Sequence, residues 1–244
     1  MIVIGSVIGF VMGLTGAGGA LVAIPLFMHF LNMSLKEASV YSLLAVVMAS
    51  LSNFYYQRKH AQIPLAATFV VASGLGSFLS YPYKKLLPDL GIAIILTMVA
   101  LYSLYNVWAP VHKAESSGRR EHNYLQTIFL GLLLGVLTTY TGLGGGVLML
   151  PILLGIYKLN QKQAVATSLV VVGLSSLISF LIQIFKGSSI HLGSDFLVLL
   201  LIILATSYVF KIFIAKTPPR VETLLRRLVF TVVVAIAVAK IFQL

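Results

Sequence analysis

"LTGAGGALVAIPLF", Leu14–Phe27, sets Gly16, Gly18 and Gly19, followed by Pro25, inside a first apolar block that runs from 2 to 31. As one straight helix that block would be about 45 Å long and would need a tilt of about 50° to fit a ~30 Å hydrocarbon core, more than membrane helices usually show. Broken at the glycines it becomes two pieces of roughly thirteen residues, about 18 Å each. Such pieces suit a hairpin that enters to the midplane and returns to the same side. Glycine accepts the backbone angles of a tight tip, and Pro25 falls in the first turns of the second piece, where a missing N–H matters least. Irregular backbone at that depth must be buried in protein or line a wet cavity, because lipid cannot satisfy its polar groups.

The rest of the chain supports a membrane setting. Of 244 residues 59% are apolar and only 9% charged, with a mean hydropathy of +1.02, more apolar surface than a soluble domain can hide. Further apolar blocks run over 38–56, 64–83, 90–108, 124–157, 164–185, 196–214 and 224–243, each long enough for a membrane helix. The fold class expected is an all-α polytopic membrane protein. The first block follows no positively charged region and precedes no small-residue cleavage pattern, so it reads as a membrane segment and not a removable signal peptide. The net charge of +11 comes from Lys and Arg lying singly or in pairs between apolar blocks, a pattern of membrane topology and not of nucleic-acid binding. There is no cysteine, which excludes disulfides and thiolate metal sites, and the five histidines lack metal-ligand spacing. No metal or cofactor is expected.

A shift of 126 residues aligns the opening stretch, without a gap, to "YTGLGGGVLMLPIL", Tyr140–Leu153. Gly5, Gly9, Thr15, Gly16, Gly18, Gly19 and Pro25 match Gly131, Gly135, Thr141, Gly142, Gly144, Gly145 and Pro151, and Ser42, Ser50, Phe54 and Gln57 match Ser168, Ser176, Phe180 and Gln183. One register held across uncommon residue types marks two related halves. The expected organisation is a first membrane repeat at 1–111, a charged cytoplasmic linker at 112–123 and a second repeat at 124–244.

Charge counting chooses between topologies. With all eight blocks spanning, Lys and Arg divide almost evenly between the two sides. With blocks one and five re-entrant, one side holds Lys36, Lys84, Lys85, Lys186 and Lys240, and the other holds twelve of the 17. Only the second arrangement obeys the positive-inside rule. It leaves three full spans per half, so the two halves insert in opposite orientations. The expected fold is therefore two inverted-topology repeats, each a re-entrant or broken helix hairpin followed by three transmembrane helices, with both termini outside.

Two helices that begin at glycine tips near the midplane would offer unpaired N–H groups and positive dipole ends to one region, which defines an anion site. The helix after each hairpin opens with a capping pair, Ser34 with Glu37 and Asn160 with Gln163, which sets Ser42 and Ser168 about 12 Å deep. The substrate-binding candidates are Gly16, Gly18, Gly19, Ser42, Gly142, Gly144, Gly145, Thr167 and Ser168. Thr15, Tyr41, Asn53, Gln57, Thr141 and Gln183 are candidate pathway-lining residues; helix packing, interhelical hydrogen bonding and core aromatic contacts are the alternative roles for several of them. All six acidic residues fall at or near loops or segment ends, so none is expected at the midplane to hold a cation or relay a proton. No midplane Lys or Arg is expected either. Nucleophile, zinc and phosphate-loop motifs are missing, so no catalytic residue is assigned and an enzyme is not expected.

"GLTGAGGALVAIPL" and "TGLGGGVLMLPIL", each followed about a dozen residues later by "EASVYSL" or "QAVATSL", resemble the paired signature of the sulfite exporter TauE/SafE family of membrane permeases over essentially the full length. The first half departs from the second in having Ala17, Ala20 and Tyr41 where the second has Leu143, Gly146 and Thr167. The resemblance implies transport of sulfite or a small organosulfonate across a bacterial-type cytoplasmic (inner) membrane. The reading that follows is a secondary permease working by alternating access, with a small anion and the lipid bilayer as partners, no nucleic acid, and room for a homo-oligomer. An anion channel and a membrane scaffold without transport are the alternatives.

Overall fold

The computed structural model describes residues 2–15, 20–84, 86–108, 123–186 and 194–215, with a few positions between 217 and 235. Those residues are helical and contain no strand. The helices are α1 (Ile2–Thr15), α2 (Ala20–Phe30), α3 (Leu35–Gln57), α4 (Ile63–Lys84), α5 (Asp89–Trp108), α6 (Tyr124–Thr141), α7 (Gly146–Gly155), α8 (Gln161–Phe185) and α9 (Ser194–Ala215). Among them α3, α4, α6 and α8 are long and apolar enough to cross a membrane. The linker expected at 112–123 lies outside the described residues except for Asn123, as does most of the block at 224–243.

Local chemistry sets the helix starts. Ser34 Oγ accepts from the Glu37 N–H at 3.3 Å while Glu37 Oε2 accepts from the Ser34 N–H at 2.9 Å, a complete capping box at the head of α3. At the aligned place Asn160 Oδ1 accepts from the Gln163 N–H at 2.9 Å and starts α8. The turns that lead there carry left-handed residues at aligned positions, Asn32 and Lys158, both at φ 50°. Asn123 Oδ1 accepts from the Gln126 N–H at 3.4 Å and begins α6 well before the glycines. The second hairpin therefore has arms of 18 and 10 residues, the longer one starting at Tyr124, where the apolar block read from the sequence begins.

The packing repeats as well. The α3 and α8 helices lie together at the centre; α4 packs on α6 and α8, α9 packs on α1 and α3, α2 lies on α3 and α7 on α8. Exchanging α1, α2, α3 and α4 for α6, α7, α8 and α9 turns each of these contacts into another of them. The halves interlock, since the first helix of each packs on a helix of the other. Small residues allow the closest crossings: a Cβ built on Gly5, Gly9 or Gly13 would lie 3.3, 2.9 or 2.9 Å from the carbonyl oxygens of Leu199, Ile203 and Ser207, three positions spaced by four along both α1 and α9. Gly131 and Gly135 play the same part against Phe69 and Ser73 on α4.

At the centre the direction is reversed. Ser50 of α3 lies against Gly173, Val46 and Ser176 both border Gly144, and Lys84 bridges Ser39 to Gln183. Going back along α3 from Ser50 to Ser39 thus means going forward along α8 from Gly173 to Gln183. These aligned helices run antiparallel. Large apolar side chains such as Val71, Phe78, Leu79, Leu197 and Leu201 point outward, as a lipid-facing surface requires.

Candidate functional site at the second glycine tip

The break between α6 and α7 is made of glycines in the left-handed region: Gly142, Gly144 and Gly145 have φ of 70°, 66° and 68°. A side-chain-bearing residue there would be strained by about 1–2 kcal/mol per position. Gly142 closes α6 by donating its N–H to Thr138 O at 2.9 Å, and Thr141 Oγ1 accepts the Leu143 N–H at 3.3 Å while donating to Leu137 O at 2.6 Å. Gly145 then caps α7. The first amides of α7 have no acceptor within their own helix.

Both halves clamp this tip. A Cβ on Gly142 would run into the Ser39 carbonyl on α3, and one on Gly144 into Ser176 Oγ on α8. Ser42, fully buried, places its hydroxyl 2.8 Å from both Ser39 O and Gly142 O, so its one hydrogen is shared between the two carbonyls. Gly144 also abuts Val46, eleven residues beyond the start of α3 and about 17 Å along it, close to the middle of that 23-residue helix. Two further hydroxyls border the tip, Ser176 Oγ beside Gly144 and Thr138 Oγ1 near Gly145. Both are buried and have no hydrogen-bond partner. Such groups are uncommon in folded proteins and call for an explanation. Beside the tip Val99, Leu137, Thr141, Leu143, Gly145 and Leu148 line a cavity of about 10 Å³, the size of a single water.

The remaining candidates fall in several places. Gly16, Gly18, Gly19 and the Thr15 side chain lie outside the described residues. Ser168 is buried and donates to Val165 O at 2.9 Å, the counterpart of Ser42 donating to Ser39 O. Thr167 Oγ1 accepts the Gln62 N–H at 2.9 Å and so fastens α8 to the loop before α4. Tyr41 is buried edge-on against Phe196, with ring centroids 4.6 Å apart. Asn53 is buried with Nδ2 donating to Ala49 O at 2.9 Å and Oδ1 unpartnered; Gln57 ends α3, partly exposed. Gln183 is buried and accepts from Lys84 Nζ at 2.6 Å. Among the described residues no cluster of His, Asp or Glu is arranged to hold a metal ion.

Charge counting placed Lys84 with the loop lysines. The structure corrects this: the side chain is 7% exposed, buried between α3 and α8. Three residues that the sequence reading left out thus border the tip, Ser39, Thr138 and Ser176, and a fourth, Lys84, bonds to Ser39. Ser176 carried a signal as the repeat partner of Ser50. Thr138 lies one helical turn before Gly142 in the same hairpin, whereas Ser39 and Lys84 are brought in by packing between the halves, which no spacing along the chain encodes.

A clamped helix break inside a bundle of apolar helices defines a multi-pass membrane protein organised around that break. The chain belongs to the sulfite exporter TauE/SafE family, whose model matches residues 1–239. It is 27% identical over 184 residues to a "Probable membrane transporter protein" of Xylella fastidiosa, covering 72% of this chain and 70% of that one. It is 25% identical over 213 residues to "Probable membrane transporter protein YunE" of Bacillus subtilis, covering 77% and 78%. No solved structure matches the chain. The family is one of membrane transporters and is not an enzyme class, and the relatives carry transporter names.

Proposed function

We propose that the protein is a secondary transporter of a small sulfur-containing oxyanion, sulfite or an organosulfonate, moving it by alternating access across the cytoplasmic membrane. The observation that carries this reading is the second glycine tip. An N-terminal helix end starts halfway along α3, its left-handed glycines leave room for close backbone approach, and two buried hydroxyls beside it have no partner. Ser42 occupies the carbonyl side of the tip, which leaves the amide end of α7 for an anion. The antiparallel run of α3 and α8 supports inverted topology, and the interlocked contacts support two repeats, at 1–111 and 124–244, that rock about a shared centre. In this scheme the tip amides and the unpartnered hydroxyls of Ser176 and Thr138 replace the hydration shell of a three-oxygen anion, Ser42 holds the tip in place through the Gly142 carbonyl, and the linker at 112–123 is cytoplasmic.

The test is thermal unfolding of the purified protein against sulfite, sulfate, thiosulfate and short organosulfonates, with chloride and sodium controls. A sulfur oxyanion at a hundred times its Kd stabilises the folded state by about 2.7 kcal/mol. That stabilisation is expected to shrink in Ser42→Ala and Ser176→Ala. A flat response from well-folded protein overturns the substrate assignment.

A further inference from the structure

Lys84 ends α4 and is buried, with Nζ 2.6 Å from Gln183 Oε1 and 3.2 Å from Ser39 Oγ. Both partners are neutral. Among the described residues the one carboxylate–lysine pair joins Lys36 to Asp89 at 3.2 Å, so none of the described carboxylates pairs with Lys84. Gln183 Nε2, on the same amide as the oxygen that holds the ammonium, is buried with no hydrogen-bond partner. An ammonium has three N–H groups, of which two are used; one N–H of Lys84 and two of Gln183 remain. A buried cation without a counter-charge is unfavourable, and inside a membrane such a group commonly marks the route of an ion. The cluster adjoins the tip, because the Ser39 carbonyl is what a Cβ on Gly142 would strike.

We infer that Lys84 and Gln183 form a docking subsite for a small oxyanion with three acceptor oxygens, such as sulfite or the sulfonate group of an organic anion, next to the second glycine tip. The inference rests on the transport reading above and adds a fixed positive charge to it. The residue types fit. A glutamate at 183 would neutralise the ammonium internally, whereas the glutamine orients it through Oε1 and leaves both the charge and the amide N–H groups for an arriving anion. The subsite is one-sided. The position aligned with Lys84 is Phe210, which packs edge-on against Phe10 with centroids 4.5 Å apart, and the position aligned with Ser39 is Val165. An anion therefore meets a charged docking point at one end of the path and none at the aligned place in the other half.

The test is titration calorimetry on the full-length protein with sulfite, methanesulfonate, sulfate, inorganic phosphate and chloride, for wild type, Lys84→Met and Gln183→Glu. Both variants are expected to weaken oxyanion binding by about tenfold or more. Gln183→Glu is expected to melt no lower than wild type, since it pairs the ammonium; a merely structural glutamine would allow that variant to keep its binding. Wild-type binding that persists within about twofold in both folded variants overturns the subsite and leaves the transport reading standing. Binding of sulfate or phosphate but not of sulfite or methanesulfonate, lost in both variants, supports an oxyanion subsite and rejects sulfite and sulfonates as its occupants. Absence of binding by any of these anions overturns both.

Discussion

Gly142 shows how much one residue settles. Its φ of 70° and its contact with the Ser39 carbonyl leave no room for a β-carbon, whereas Gly155, at the end of α7, has nothing within 4 Å of a built Cβ. Gly142→Ala should therefore destabilise the protein by about 1–2 kcal/mol from backbone strain, with further loss from the clash. Gly155→Ala should be neutral or stabilising by up to about 1 kcal/mol. Melting temperatures of the two variants check the contrast, and equal shifts would remove the tip from its special role. Ser42→Ala removes the hydroxyl that the Gly142 carbonyl shares with Ser39, so about 1 kcal/mol should be lost, together with transport rate. A variant that loses stability alone would make Ser42 a packing residue.

Among elements, the contacts between halves matter most. Gly135 of α6 presses on the Ser73 carbonyl and Ser77 N–H of α4, backbone against backbone, so Gly135→Ala should separate two helices that hold the halves together. A loss of about 1–3 kcal/mol in a denaturation midpoint is expected. This scale also shows what the sequence makes legible. Helix starts and the helix break are local chemistry, and Ser34 with Glu37, Asn160 with Gln163 and the glycines of 142–145 can be read directly. The start of α6 is legible too, since Tyr124 follows the capping Asn123 at the head of its apolar block. Lys84 escaped because it stands at the end of an apolar block and looks like a loop residue; its burial comes from Ser39 and Gln183, 45 and 99 residues away. Periodicity tells which residues share a face but not which helix that face meets.

For the whole molecule, the antiparallel course of α3 and α8 makes an assertion about topology. Lys36 and Lys162 are aligned by the repeat and exposed near the starts of α3 and α8. With no native cysteine, single variants Lys36→Cys and Lys162→Cys can be labelled in sealed vesicles by a membrane-impermeant maleimide. Opposite sidedness is expected, with Lys36→Cys outside; labelling of both from one side would mean a parallel repeat. The second glycine tip takes walls from both repeats, and rocking one half against the other would open such a site to alternate sides. The most direct measurement is counterflow of sulfite in proteoliposomes holding the purified protein. Saturable uptake that speeds up when the lumen is preloaded with unlabelled sulfite is the predicted result, because a carrier returns faster when loaded. Uptake that rises linearly with concentration and ignores the preload would mean a channel, and no uptake above protein-free vesicles would contradict the account outright.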